Sequence, residues 1–225
     1  MIGIVPAARS VLAWCLVVGG CLLAVGPVAA QIRPVEEWTS QPLNKTGVPA
    51  GWKRVFLFPA KVEVVANGAE RALHLESAGD HSIIARDLGG VNLAETPWLE
   101  WTWRVDELPR GANLAKKDLA DSAIEIHLVW KAGHATLGYA WDETLDLERS
   151  FENPRQGSVH FLIVTNGTAQ PGKWITLKRQ VVEDYRKVFK AEPPGPPDQI
   201  AISIDSNQTR SRAESYVGPI RFRAR

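Results

Sequence analysis

The sequence predicts an all-β fold, a two-sheet antiparallel β-sandwich with one short helix. Three observations predict it. Apolar and polar residues alternate with period two in run after run, the pattern of strands with one face buried. Gly, Pro, Asn and Asp punctuate those runs, as turns require. Helical spacing is confined to one short stretch, and prolines follow it closely.

The strands are expected at "WKRVFLF" (52–58), "KVEVV" (61–65), "ALHLES" (72–77), "HSIIAR" (81–86), "WLEWTWRV" (98–105) and "AIEIHLVW" (123–130). They continue at "ATLGYAW" (135–141), "SVHFLIVT" (158–165), "KWITLKRQVV" (173–182), "QIAISID" (199–205) and "IRFRAR" (220–225). These are enough for two packed sheets. The helix is "EDYRKVF" (183–189), where Tyr185, Val188 and Phe189 share a face and "EPPGPP" (192–197) stops further winding. It should lie across a sheet edge or end.

Residues 1–30 stand apart. One basic residue, Arg9, precedes the mainly apolar run "VLAWCLVVGGCLLAVGPVAA", which ends in small residues. That is the layout of a cleavable export signal, with cleavage after Ala30 and a periplasmic or secreted product. Residues 31–225 then form a single domain. Lipid attachment at Cys21 of "VGGC" is the minority alternative, although apolar residues rather than a polar tether follow it. No stable membrane span remains after cleavage. Both cysteines, Cys15 and Cys21, lie in the leader. The exported domain therefore has no disulfide and no thiolate, and its core alone must hold it. Without Arg9 the mature chain balances 25 basic against 25 acidic residues. A neutral chain with no basic block is a poor match for nucleic acid.

Tryptophan is both a core residue and the usual platform for stacking sugars, so "WLEWTWRV" needs dividing. Alternation puts Leu99, Trp101, Trp103 and Val105 on one side, a wholly apolar set expected in the core. Trp98, Glu100, Thr102 and Arg104 fall on the other. "AIEIHLVW" divides likewise, with Glu125 and His127 on its polar side. If the two strands were neighbours, Trp98, Glu100, Arg104, Glu125 and His127 would form one candidate ligand-binding face. The competing reading of that face is a solvated surface whose charges pair across strands.

Other motifs carry less. "GTAQPGKW" (167–174) begins like a phosphate-binding loop, but Trp174 stands where a magnesium-holding hydroxyl belongs and a strand follows. It reads as a hairpin connection. "DSNQT" (205–209) sets Asp205, Asn207 and Thr209 at alternate positions, as oxygen ligands of a metal loop would be. Arg210 and Tyr216 replace the glycine and bidentate glutamate of the calcium pattern, so turn capping competes with a metal site. No dinucleotide fingerprint, serine elbow or histidine metal motif occurs, and no cofactor is expected.

The segments "PAGWKRVFLF", "PWLEWTWRVDELPRGAN", "TLGYAW", "VTNGTAQPGKW", "VVEDYRKVF", "EPPGPPDQIAISIDSNQT" and "YVGPIRF" occur here in order. In this the chain resembles a family of exported bacterial proteins known only as a domain of unknown function. The resemblance implies a jelly-roll-like sandwich similar to sugar-binding and lectin-like domains, and implies no activity. Three functions are compatible with these readings. A noncatalytic binding module for a glycan or another polar ligand is favoured. The alternatives are a carbohydrate-active enzyme using Glu100 and Glu125, with Arg104 and His127 tuning them, and an envelope scaffold that docks another protein.

Overall fold

The computed structural model describes Met1 and residues 31–55, 60–168 and 170–224. The expected leader, its cleavage site and Cys21 lie outside the described residues. Among the described residues no helix is long and apolar enough to cross a membrane.

In chain order the elements are β1 (Ile32–Glu36), β2 (Lys53–Arg54), β3 (Lys61–Asn67), β4 (Glu70–Ala78), β5 (His81–Asp87), β6 (Trp98–Glu107) and β7 (Ser122–Trp130). Then come β8 (Ala135–Asp142), β9 (Ser150–Glu152), β10 (Val159–Asn166), β11 (Ile175–Gln180), α1 (Val181–Phe189), β12 (Gln199–Asp205) and β13 (Arg212–Arg223). The first sheet runs β11-β6-β13-β4-β3, with β1 taking over from β4 beside the second half of β13. The second runs β2-β5-β12-β7-β8-β10-β9. The two pack into the expected jelly-roll-like sandwich.

Four features depart from the sequence expectation. β8 and β10 are parallel. The β9–β10 hairpin folds back so that its second strand, not its first, lies against β8. Residues 167–174 are no hairpin, since they carry the chain from β10 in one sheet to β11 in the other. β13 spans Arg212–Arg223 rather than starting at Ile220, because Gly218-Pro219, which reads as a break, is a bulge between Val217 and Ile220. The Gly218 carbonyl accepts the Trp38 indole N–H at 2.9 Å.

The expected core tryptophans are there. Leu99, Trp101, Trp103 and Val105 are fully buried, as are Ile124, Ile126 and Leu128 of β7. Aromatic contacts bridge the sheets: Trp101 packs on Tyr139 at 5.1 Å and Trp103 on Trp141 at 6.5 Å, between β6 and β8. The Trp101 and Trp103 indole N–H groups have no acceptor among the described residues. That costs about 1–3 kcal/mol each, which the buried ring area offsets.

α1 starts at Val181, where the Gln180 side chain accepts the Glu183 N–H at 2.8 Å, and ends where Lys190 turns left-handed at φ 56°. It closes one edge of the sandwich. Tyr185 meets Trp130 at 4.8 Å, and Phe189 meets His160 at 4.8 Å. Buried Asp184 accepts from Tyr139 Oη at 3.1 Å and from Arg179 Nε at 2.9 Å, so the helix ties β8 of one sheet to β11 of the other. Arg179 and Lys187 both reach Glu148, at 2.6 and 2.5 Å. They thereby fix the loop that leads into β9.

Candidate functional site

The sequence-predicted face does not exist as one surface. β6 belongs to the first sheet and β7 to the second, with residues 108–121 crossing between them. Trp98, Glu100, Thr102 and Arg104 point outward from one side of the sandwich, and Glu125 and His127 from the other. Glu100 and Glu125 therefore cannot flank one glycosidic bond.

The first sheet's outer face is filled and paired. Glu100 holds Arg223 at 2.6 Å, and the Lys178 ammonium lies 5.0 Å over the Trp98 ring. Arg104 donates to Asp106 at 2.9 Å and stacks 4.1 Å from the centre of Tyr216 and 5.3 Å from that of Trp174. His74 covers the opposite face of the phenol, 4.5 Å away and nearly parallel, and is itself held between Glu214 at 2.9 Å and Glu63 at 3.3 Å. Register places Arg104, Tyr216, His74 and Glu63 in one row across four strands. Both faces of the Tyr216 ring are thus taken by neighbours, which leaves it no open surface for a sugar.

The second sheet's outer face is hollow in part, while Leu114 and Leu145 cluster with Ala140, Phe161 and Ile163 over the rest. Pairing aligns Ala85, Ala201, His127, Gly138 and Phe161 in one row, and Ile83, Ser203, Glu125 and Ala140 in the next. Small side chains dominate the middle of both rows. β9 and the turn at 153–158 rise at one side, and Val55 stands at the other. The result is a cleft of about 500 Å³. Ile83, Ala85, Val129, Ala201 and Phe161 line it, and His81, Glu125, His127, Arg155, Asp205 and Asn207 give it a polar end. Glu125 and His127 are only 6% and 7% exposed although they point away from the core. This burial comes from the depth of the cleft.

Glu125 Oε2 lies 2.8 Å from His127 Nε2, two residues along the same strand face, and orients the imidazole. Phe161 packs against the same ring at 6.1 Å. Across the cleft, Asp205 Oδ2 is 3.7 Å from His81 Nδ1 and 3.6 Å from an Arg155 guanidinium nitrogen. Burial, then the charges of Asp121 and Glu125, push the Asp205 carboxyl up to about 8, against the opposing effects of the Asn207 N–H and Arg155. Burial also holds His81 below the ordinary imidazole value, with Arg155 and His127 acting in the same direction and Glu125 and Asp121 against it. Burial thus favours the neutral acid form of Asp205.

Of the weak metal candidates in "DSNQT", Asp205 and Asn207 line the cleft but serve a turn. Asp205 accepts the Asn207 N–H at 3.1 Å, and Asp121 accepts those of Gln208 and Thr209 at 3.1 and 2.7 Å. Thr209 pairs with Ser211 at 2.7 Å. Among the described residues no group of three or more His, Cys, Asp or Glu is placed to hold a metal ion. His81, Arg155 and Phe161 are the site residues that sequence reasoning missed. Alternation shows the faces of His81 and Phe161, but only the order β5-β12-β7-β8-β10 brings them together, and Arg155 comes from the turn after β9.

The profile of a family described as "Protein of unknown function (DUF3047)" matches residues 50–221. The chain belongs to this family. No curated protein matches it. Among solved structures, this DUF3047 chain is similar to the family 11 carbohydrate-binding module of the cellulase Lic26A-Cel5E of Clostridium thermocellum. That likeness has 10% identity and a TM-score of 0.45, covering 86% of this chain and 95% of that one. It is also similar to the xyloglucanase domain of NopAA from Sinorhizobium fredii, at 8% identity and TM-score 0.48, covering 82% of this chain and 97% of that one. Nothing about a ligand follows from likenesses of this strength, so the chemistry of the cleft itself must supply it.

Proposed function

We propose that the protein is an exported binding module, periplasmic or secreted, whose cleft on the second sheet takes a glycan or another small polar ligand. One observation carries the reading: a half-enclosed hollow of about 500 Å³ with an apolar floor and a convergent polar end. Binding clefts span roughly 300–1,000 Å³ and combine these two kinds of lining. A sugar fits that combination, because its C–H faces suit Phe161, Val129 and Ile83. Its hydroxyls suit the carboxylate, amide and imidazole groups of Glu125, Asn207 and the histidines.

A thermal-shift screen of the purified protein against oligosaccharides and small polar metabolites tests this, since a ligand of the native state raises the midpoint. The expected hit is lost on Glu125→Gln and kept on Glu100→Gln, which lies on the opposite face. A hit that survives Glu125→Gln but disappears with Trp98→Ala would place the ligand on the first sheet and overturn the reading.

A further inference from the structure

We propose that the cleft selects ligands that carry a carboxylate, specifically a uronic-acid unit of an oligosaccharide, with Arg155 as the counter-ion. The inference rests on the cleft being the binding site and adds the ligand's charge.

Among the cleft's described lining residues, Arg155 is the one lysine or arginine. Its pairing is looser than that of Arg221, Arg186 and Arg212. Arg221 grips Glu37 at 2.6 and 2.9 Å, Arg186 grips Glu192 at 2.8 and 2.9 Å, and Arg212 meets Glu76 at 2.6 Å. Arg155 has a single loose contact, 3.6 Å from Asp205 Oδ2, and its side chain is 35% exposed at the cleft mouth. A guanidinium offers five donors in a planar fork that matches a carboxylate. Here that fork is open to the cleft.

The surrounding charges leave it open. The Asp205 carboxyl, shifted by burial toward its neutral acid and 3.6 Å away, is a weak counter-charge for Arg155. Glu125 is occupied with His127 at 2.8 Å, and both oxygens of Asp121 accept backbone N–H groups of the 206–211 turn. His81 is shifted toward its neutral form. A carboxylate for Arg155, with the cleft's apolar floor for C–H faces and its polar end for hydroxyls, describes a sugar acid.

The test is calorimetric titration of the full protein with trimers of galacturonate, glucuronate and mannuronate, and with the same trimers as methyl esters. At least one acid trimer should bind about tenfold or more tightly than its ester, with affinity falling as salt rises. Arg155→Gln should erase that difference, bringing the acid down to the affinity of its ester. Arg155→Lys, which keeps the charge but not the fork, should retain only part of it. Acid and ester binding equally, or a preference that persists in Arg155→Gln, overturns the proposal. If the esters still bind in a Glu125-dependent way, the cleft reading stands without it. If acids, esters and the neutral sugars of the wider screen all fail to bind, both fall together.

Discussion

Gly138 offers the sharpest test of how the cleft is built. It lies on β8 opposite His127 of β7 and Phe161 of β10. A Cβ at this position would stand 2.8 and 2.9 Å from Phe161 Cδ1 and Cε1, and 3.1 Å from His127 Nδ1. Carbon atoms prefer about 3.5–4.0 Å, so something must move. The Phe161 ring cannot simply rotate aside, because Phe151 braces it at 5.8 Å and His127 stands at 6.1 Å. Moving the imidazole instead breaks the 2.8 Å bond to Glu125. Overpacking of this kind costs about 1–3 kcal/mol, while replacing a strand glycine by alanine returns about 0.5–1 kcal/mol of chain entropy. Taking the centre of each range, Gly138→Ala should destabilise by about 1 kcal/mol. For a domain of this size that lowers the calorimetric midpoint by about 2–4 °C. The clash has a named partner, so the same change made in a Phe161→Ala background should cost little or nothing. An unchanged or raised midpoint for Gly138→Ala alone, or an equal cost in both backgrounds, would refute the packing argument.

Two further outcomes follow from buried polar groups. Asp184→Ala leaves the buried Tyr139 hydroxyl without its acceptor and Arg179 with Glu148 alone. Stability measured in urea should fall by about 3 kcal/mol, and a loss below about 1 kcal/mol would show that α1 is not held through this network. Asp205 sets a pH dependence whose sign is fixed. Its folded carboxyl keeps a proton up to about 8, whereas the unfolded one releases it near 3.8. The folded state thus binds more protons between those values, and stability declines as pH rises through that window, then levels. Asp205→Asn removes this decline. Urea midpoints of wild type and variant should diverge from pH 4 to pH 8 in the variant's favour, and parallel curves would contradict the assignment.

Most of the fold was legible because it rests on alternation, which is local. Each side of "WLEWTWRV" went where period two sends it, Trp101 and Trp103 inward and Glu100 and Arg104 outward. Strand ends were less legible where an apparent breaker had another use, as at Gly218-Pro219 in β13. The site was hidden for a different reason. Alternation gives the face of a residue within its own strand, not which strand lies beside it. Glu125 and His127 were found because one strand carries both, but the assumption that β6 neighbours β7 joined them to the wrong partners. Their true neighbours, His81 of β5 and Asp205 of β12, come from chain segments far apart, and only sheet order unites them.

The same alternation produces two outer faces of opposite character, and side-chain size decides between them. On the first sheet one row reads Arg104, Tyr216, His74 and Glu63, large groups that fill the space above the strands and satisfy one another. On the second sheet the small residues Ala85 and Ala201 line the cleft beside Glu125 and His127. A surface kept only for solubility gains nothing from a hollow over those alanines, since larger side chains there would cover more apolar area and stiffen the strands. Yet this hollow brings a Glu–His pair, a neutral buried acid and a loosely held guanidinium to one end of its lining. Burying polar groups in that way costs stability unless another molecule completes their bonds. The filled face completes its own contacts, and the hollow one leaves its polar end for the ligand proposed above to complete.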